Sequence, residues 1–225
     1  MSYENIIKEL KSHSNPKCVE GMARFGINPH NTLGVSLPVI RNIAKKTGKD
    51  HSLSIRLWDS GIHEARLLAS IIGEPERVTE EQMEKWAKDF DSWDIVDICS
   101  FLFSKTRFAE KKITEWTRRK EEFVKRMGFV LMCSRAVHDK KASDSTFEKY
   151  FKIIKRESKD ERNFVKKAVN WALRQIGKRN IRLNKKAIKL AEDIQRMDSK
   201  PAKWIASNAL AELESEKVKN RLRKK

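Results

Sequence analysis

Apolar residues recur at helical spacing along nearly the whole chain, and this periodicity constrains the fold more than any other feature. Between residues 163 and 177, one apolar arc is formed by Val165, Ala168, Val169, Ala172, Leu173 and Ile176. The strict alternation typical of half-buried strands is absent. The chain has 8 glycines and 5 prolines in 225 residues, which is low for an all-β chain. The sequence therefore predicts an all-α protein.

Capping and stop signals divide the chain into about a dozen predicted helices. Thr79 with Gln82 fits a capping box at one helix start, and glycines follow several of the periodic segments. Because no low-complexity linker interrupts the chain, we expect a single domain over residues 1–225. The highly charged segment 216–225 is expected to be a frayed basic tail.

An internal repeat supports a more specific architecture. Residues 123–126 (FVKR) match residues 164–167 (FVKK) at an offset of 41, and a weaker echo at an offset of 37 relates 168–173 to 205–210. This period, made of two-helix units, is typical of HEAT-like or armadillo-like arrays. It predicts a curved right-handed superhelical stack of HEAT-like repeats, an α-solenoid with a concave binding groove. The alternative is chance similarity between amphipathic helices.

Positive charge is concentrated in the second half of the sequence. The formal net charge is +18. Residues 1–100 carry 13 Lys and Arg against 15 Asp and Glu, whereas residues 101–225 carry 36 against 16. A basic surface of that size favours a polyanionic partner. The alternative is a basic protein whose charge serves solubility alone.

Several classes of function find no support in the sequence. The cysteines Cys18, Cys99 and Cys133 are isolated in helical apolar contexts, which predicts buried free thiols in a reducing compartment. The five histidines lack ligand spacing, so we assign no metal, and no glycine-rich phosphate loop or other cofactor fingerprint occurs. No secretory signal and no apolar run long enough to span a membrane is found. We expect a cytoplasmic protein without a cofactor or membrane partner.

The segment SWDIVD, residues 92–97, places an aromatic and a carboxylate on one helix face. With Trp93 set at zero on a helical wheel, Asp97 falls at about 40°, whereas the core-forming residues centre near about 190°. A carboxylate beside an aromatic ring can stabilise a positive charge that develops during a reaction. The alternative for Asp97 is an ion pair with a basic residue such as Arg126.

A second segment, residues 163–179, combines an aromatic with a basic stripe. Trp171 lies at the border between the apolar arc and a polar side made of Lys167, Asn170 and Arg174. An aromatic beside cations is what a groove that follows a phosphate backbone would use. Further candidate phosphate contacts follow at Lys178 and Arg179, and for each single cation a solvated surface position is the alternative.

These motifs resemble the AlkD-type DNA alkylation repair glycosylases. The resemblance rests on SWDIVD, on NFVKKAVNWALRQIGKRN and on MARF at residues 22–25, and it runs from about residue 15 to about residue 214. It implies a curved stack of HEAT-like helix pairs that holds duplex DNA in a basic concave groove. It also implies excision of positively charged alkylpurines, typically 3-methyladenine and 7-methylguanine, with the damaged base left in the duplex.

The resemblance assigns roles to individual positions. Asp97, Trp93 and Trp171 match the catalytic carboxylate and the two catalytic aromatics, and Arg126 matches a groove arginine. Phe25 stands where some relatives carry a tyrosine. The sequence departs from the family pattern at two further positions. Ser92 stands where a second tryptophan can occur, and Asn163 stands where an aromatic can occur.

The implied chemistry suits a single carboxylate. An N3- or N7-alkylated purine is already positively charged, so its departure needs little general-acid help. What remains is stabilisation of an oxocarbenium-like deoxyribose, which Asp97 could supply while Trp93 and Trp171 flank the sugar. The other tryptophans are interpreted as packing residues, namely Trp58, Trp86, Trp116 and Trp204.

The sequence thus predicts a monofunctional alkylpurine DNA glycosylase that acts as a monomer on duplex DNA containing alkylated bases. The predicted DNA contacts are Arg126, Phe25, Lys167, Arg174, Lys178 and Arg179. We expect the catalytic residues and Arg126 to converge on one groove. Two alternatives stay open: a non-catalytic DNA- or RNA-binding protein of the same fold, and a helical scaffold for an acidic protein.

Overall fold

The computed structural model describes residues 1–224, and every regular element among them is helical. Fourteen α-helices and one 3-10 turn at Pro75–Arg77 account for these elements, which confirms the all-α prediction. In chain order the helices are α1 Tyr3–Ser12, α2 Pro16–Arg24, α3 Leu37–Thr47, α4 His51–Asp59, α5 His63–Ile72, α6 Glu80–Lys88, α7 Trp93–Phe103, α8 Ala109–Trp116, α9 Glu122–His138, α10 Asp144–Glu157, α11 Asn163–Gly177, α12 Ile181–Gln195, α13 Lys200–Leu213 and α14 Glu216–Arg223.

The helices form two compact units, Met1–Ala109 and Glu110–Lys225. Each unit has its own set of packed helices and is described separately below. The expectation that residues 1–225 behave as a single domain stays a prediction.

The core of the first unit is built around two stacked tryptophans. The rings of Trp58 and Trp86 lie parallel with centroids 4.0 Å apart, and both side chains are fully buried. Trp58 Nε1 donates a hydrogen bond of 2.8 Å to Asp89 Oδ2, which satisfies its polar atom inside the core. In the second unit, Trp116 is also buried, as predicted, whereas Trp204 is 38% exposed with the Lys166 ammonium 4.9 Å from its ring centroid.

A buried carboxylate shapes the loop between α2 and α3. Glu64 is completely buried, and it accepts hydrogen bonds from the backbone N–H groups of Leu33, Gly34 and Val35 at 2.9, 2.7 and 3.1 Å. A buried charge is tolerated when several donors converge on it, because they replace its hydration. Gly34 adopts a left-handed conformation with φ of +79°, which lets three consecutive donors face the same carboxylate.

The second unit contains helix pairs that agree with the repeat seen in the sequence. Helix α9 packs on α11, α11 packs on α13, and α10 packs on α12. The repeated FVKR and FVKK segments begin α9 and α11, where the rings of Phe123 and Phe164 meet at 5.4 Å. Buried side-chain donors join successive helices: Arg126 Nη1 donates to Phe164 O at 2.8 Å, and Asn170 Nδ2 donates to Ile205 O at 2.9 Å.

Two sequence-based expectations are wrong in this unit. Asn170 is expected on the polar side of its helix, but its side chain is buried, and its amide donates a hydrogen bond to the Ile205 carbonyl of α13. The segment from residue 216, expected to fray, forms α14. Val218 and Leu222 lie one turn apart and are both buried, so the charged segment has an apolar seam. Lys225 lies outside the described residues.

The Gly34 conformation generates a stability prediction. A Cβ at Gly34 would lie 2.2 Å from the Asn15 carbonyl oxygen, and the left-handed backbone would add a penalty of about 1–2 kcal/mol. We expect Gly34→Ala to lower the melting temperature by at least about 4 °C. Gly21→Ala is the matched control: it lies inside α2 with open space around its Cβ position, and it should be neutral or stabilising by up to about 1 kcal/mol. Equal melting temperatures for the two variants, measured by circular dichroism, would contradict this account.

Candidate functional site

A cleft of about 370 Å³ in the first unit contains two of the predicted catalytic residues. Its walls come from α2, the 34–37 loop, α5 and α7, and its lining is mostly apolar. Trp93 and Asp97 both line it, so the structure brings the predicted aromatic and carboxylate together. The lining residues are Cys18, Met22, Gly34, Val35, Ser36, Leu37, Leu67, Trp93, Asp94, Asp97 and Ile98.

Trp93 is fixed at the first position of α7 by contacts with the chain that follows α2. Its indole Nε1 donates a hydrogen bond of 3.1 Å to the carbonyl oxygen of Phe25. The preceding residue, Ser92, is buried, and its hydroxyl accepts a hydrogen bond of 2.9 Å from Asn28 N–H. Asn28 Nδ2 also donates to Asp91 Oδ2 at 2.9 Å. The serine that stands where a second tryptophan can occur therefore connects α7 to the loop beside the cleft.

Asp97 lies one helical turn after Trp93 and is half-buried. Its backbone carbonyl accepts a hydrogen bond of 2.7 Å from Ser100 Oγ, an ordinary contact within the helix. The cleft around the carboxylate is lined mostly by apolar side chains. A charge in such surroundings interacts more strongly with an opposite charge than it would in water.

Asp94, the other carboxylate on the cleft wall, is bound by a histidine. His63 Nε2 lies 2.9 Å from Asp94 Oδ2, and the His63 side chain is 3% exposed. Burial alone would lower the pKa of His63, but the hydrogen bond and the charge of Asp94 outweigh burial and raise that pKa above its usual value. Asp94 and Asp97 are three residues apart on α7, so their side chains leave the helix in different directions.

Phe25 is the most exposed large hydrophobic residue described, at 76%. It follows α2 as the C-cap residue, and its carbonyl accepts the hydrogen bond from Trp93, a residue that lines the cleft. Cys18 is also exposed and lines the same cleft, whereas the sequence predicted a buried thiol. Cys99 and Cys133 are buried as expected, and burial raises the pKa of the Cys99 thiol.

Two further predicted site residues belong to the second unit. Trp171 lies half-buried on α11. Arg126 is 5% exposed, and one of its partners is the Phe164 carbonyl oxygen. The phosphate and the Asp97 carboxylate considered from the sequence stay predicted partners of Arg126. The convergence of Trp93, Asp97, Arg126 and Trp171 on one groove stays a prediction.

The predicted DNA-binding cations differ in their surroundings. Lys167 is exposed on α11 and forms no salt bridge with a described residue. Arg174 and Lys178 both bind the carboxylate of Glu212 on α13. Burial would raise the pKa of Glu212, but the hydrogen bonds from Lys178 and Arg174 outweigh it and hold that pKa below its usual value. Sequence reasoning missed Glu212, because nothing local indicates a contact between residues more than thirty positions apart.

Arg179 joins neighbouring segments of the second unit through its guanidinium group. Its guanidinium donates to the carbonyl oxygens of Ala136 and Ala142 at 2.7 and 3.3 Å and lies 4.0 Å from the centre of the Phe147 ring. It also borders a polar cleft of about 410 Å³, together with Lys178 and two cations absent from the predicted set, Lys140 and Arg221.

Two further observations concern the described residues as a whole. No described helix combines the length and apolar composition needed to cross a bilayer. No three histidine, cysteine or carboxylate side chains among residues 1–224 converge in a way that could hold a metal ion.

Comparison with solved structures defines the class of fold. The chain is similar to a protein described as a member of a new family related to the HEAT-like repeat DNA glycosylases, with affinity for branched DNA structures. The TM-score is 0.81 at 20% identity, over 99% of this chain and 96% of the other. Two weaker similarities carry no argument: a designed armadillo repeat protein in complex with a peptide (TM-score 0.38, 12% identity, 83% and 80% covered) and an engineered protein (TM-score 0.38, 11% identity, 88% and 97% covered).

Sequence comparison gives the family. The sequence model of the family described as DNA alkylation repair enzyme matches residues 6–213, which is nearly the whole chain. This protein therefore belongs to the DNA alkylation repair enzyme family, in agreement with the resemblance found in its motifs. No curated protein matches the sequence.

The His63–Asp94 pair generates a pH-dependent prediction. Because the pKa of His63 is raised in the folded state, the pair stabilises the fold fully below the unfolded pKa of about 6.5, and this contribution is lost as the pH rises through the folded pKa. We expect Asp94→Asn to destabilise the protein by about 1.5–3 kcal/mol at acidic pH and by less at alkaline pH.

Urea unfolding measured at several pH values tests this expectation. Asp198→Asn is the control, because the Asp198 side chain is fully exposed and its loss should have little effect at any pH. A destabilisation by Asp94→Asn that does not change with pH would show that the charge on His63 is not involved.

Proposed function

We propose that this protein hydrolyses the N-glycosidic bond of positively charged N3- and N7-alkylated purines in duplex DNA. One observation carries the proposal: in a chain of the DNA alkylation repair family, Trp93 and Asp97 line the same apolar cleft. The +20 formal charge carried by residues 101–225, from 36 Lys and Arg against 16 Asp and Glu, supports a nucleic-acid partner.

The proposed reaction places different demands on the two residues. As the glycosidic bond breaks, its electron pair goes to the cationic base, which leaves neutral, and positive charge develops on the deoxyribose. Asp97 stabilises that charge, and water adds to C1′ while losing a proton to solvent or to the carboxylate. The Trp93 ring provides an apolar wall whose π face favours a cation and excludes competing water.

The DNA contacts proposed for this function come from several parts of the chain. Phe25 is exposed beside the cleft, and Lys167 is an exposed cation on α11. We also propose Trp171 as the second catalytic aromatic. The remaining proposed DNA contacts are Arg126, Arg174, Lys178 and Arg179. Action as a monomer, and in the cytoplasm, are also part of the proposal.

A second candidate function is binding of branched DNA without base excision. Two observations favour it. A protein of similar fold is described as having affinity for branched DNA structures, and Ser92 replaces a possible second tryptophan with a buried hydrogen-bonded serine. Release of methylated base from methylated duplex DNA by the pure protein distinguishes the two candidates, since only the glycosylase produces free base.

Removal of the Asp97 charge tests the proposed mechanism. We expect Asp97→Asn to reduce single-turnover release of 7-methylguanine by about 10²–10³-fold, the scale for loss of one preorganised electrostatic contact. Affinity for undamaged duplex should not fall, because the substitution keeps the side-chain size and removes a negative charge rather than a contact with phosphate. The measurement is single-turnover release followed by chromatography, with melting curves to verify folding.

The matched control is Asp94→Asn, assayed at alkaline pH where the His63 pair contributes least to stability. It removes a carboxylate from the same helix and cleft, and should retain most of the release rate. If a folded Asp97→Asn protein releases base at the wild-type rate, Asp97 has no part in the reaction. If both variants lose activity equally, the charge of the cleft matters and the assignment to Asp97 is wrong.

The Glu212 contacts generate a prediction about DNA affinity. Glu212 neutralises Arg174 and Lys178, so we expect Glu212→Gln to strengthen duplex binding several-fold and to steepen its salt dependence. Glu214→Gln is the matched control: it removes the same charge two residues away, from an exposed side chain without a salt bridge to a described residue. Fluorescence anisotropy at several salt concentrations measures both. Equal gains for the two variants would mean that net charge alone is responsible.

A further inference from the structure

A second cleft lies beside the catalytic cleft along α7. It has a volume of about 430 Å³, and it shares Ile98 with the cleft that contains Trp93 and Asp97. Phe101 lies one turn after Asp97 on the same side of α7, about 6 Å further along the helix axis. Lys105 follows just after the helix ends. A ligand extended along α7 would therefore meet both clefts.

The second cleft exposes an aromatic ring against an apolar wall. Phe101 is 45% exposed, whereas most large hydrophobic side chains of this unit are buried. Ile71, Pro75 and Ile98 contribute to the wall around it. An exposed aromatic beside other apolar groups is unfavourable in water unless a ligand covers it.

Cations surround this apolar wall. Arg41, Lys49 and Lys105 line the cleft, and none of the described lining residues carries a carboxylate. Arg41 and Lys105 are exposed and form no salt bridge with a described residue. The Lys49 ammonium donates to the carbonyl oxygens of Ile71 and Gly73 at 2.7 and 3.0 Å.

The charges in this cleft are crowded. Burial, and then the charge of Lys105, lower the pKa of Lys49, although Glu74 and Glu76 act in the opposite direction. The Glu74 carboxylate is engaged elsewhere, since it accepts from His51 N–H and from Arg77. An anionic ligand between Lys49, Lys105 and Arg41 would relieve this repulsion.

We propose that the Phe101 cleft binds an unpaired nucleotide of the DNA substrate, with the base stacked on Phe101 and the adjoining phosphates on Arg41 and Lys105. Bases of any identity stack on an exposed aromatic ring, and cations beside it follow the phosphate backbone. A paired base inside a duplex cannot offer its face in this way. The cleft therefore selects DNA that carries a single-stranded element beside the duplex. This inference rests on the proposed function for its ligand class, DNA.

Equilibrium binding to undamaged DNA tests the proposal separately from catalysis. The probes are a plain duplex and the same duplex with a short single-stranded thymidine flap, both fluorescently labelled. We expect wild-type protein to bind the flapped probe more tightly. Phe101→Ala should reduce affinity for the flapped probe about tenfold and leave plain-duplex affinity within about twofold. Phe101→Trp, which keeps an aromatic ring, should retain the preference.

The cation contribution has a charge-matched control. The double variant Arg41→Gln with Lys105→Gln should lose the flap preference. Lys45→Gln with Lys88→Gln removes the same charge from exposed lysines of the same unit and should retain it. Melting curves verify that each variant folds, and should Phe101→Ala unfold, the tryptophan and cation variants still decide the question.

Three results would overturn the proposal: equal wild-type affinity for the two probes, an intact flap preference in folded Phe101→Ala, or equal losses in the two cation variants. Failure of the glycosylase proposal gives a different result, namely no release of methylated base by wild-type protein whatever the flap preference. Loss of DNA binding to both probes would mean that the chain lacks the proposed DNA partner altogether.

Discussion

The cleft that contains Trp93 and Asp97 depends on one interaction, the binding of the buried Glu64 carboxylate by the loop before α3. The three hydrogen bonds of this carboxylate with the 33–35 loop replace the hydration that a buried charge would otherwise lose. The same loop supplies Gly34 and Val35 to the lining of the cleft that Asp97 also lines. Because the loop has no regular structure, this contact, the left-handed Gly34 and the Asn28–Ser92 hydrogen bond determine its position. The buried Glu64 carboxylate therefore helps to position the loop residues that line the cleft with Asp97.

The second unit uses polar side chains differently, to join successive helices. Arg126 and Asn170 each donate from a buried position to a backbone carbonyl of the next helix in the stack. A helix interior leaves few carbonyl lone pairs accessible, so these contacts fix the register between neighbours as well as satisfying the buried donors. The same two residue types would suit a nucleic-acid groove when judged from the sequence. Their burial shows that a polar side chain on a repeat helix can hold neighbouring helices together instead of binding a ligand.

The sequence predicted features that depend on local spacing and missed those that depend on distant contacts. Helical periodicity correctly indicated an all-α chain, and the wheel positions of Trp93 and Asp97 agree with their shared cleft. The Glu64 contacts and the pairing of Glu212 with Arg174 join segments about thirty or more residues apart, which no local pattern encodes. The sequence did not predict helix α14, because its charged residues outnumber its two apolar residues, Val218 and Leu222. The burial of Asn170 was missed because a wheel assigns polar residues outward by default.

Asp94 and Asp97 show how neighbouring residues of one chemical type acquire different roles. Both line the same cleft and both belong to α7. A turn of about 300° between them directs Asp94 toward buried His63, whose imidazole forms a hydrogen bond with its carboxylate. This contact with a buried side chain fixes the position of the Asp94 carboxylate. Asp97 is the candidate for charge stabilisation because it lies one full turn after Trp93 and lines the same cleft. The histidine contact of Asp94 joins residues about thirty positions apart, so no local pattern in the sequence indicates it.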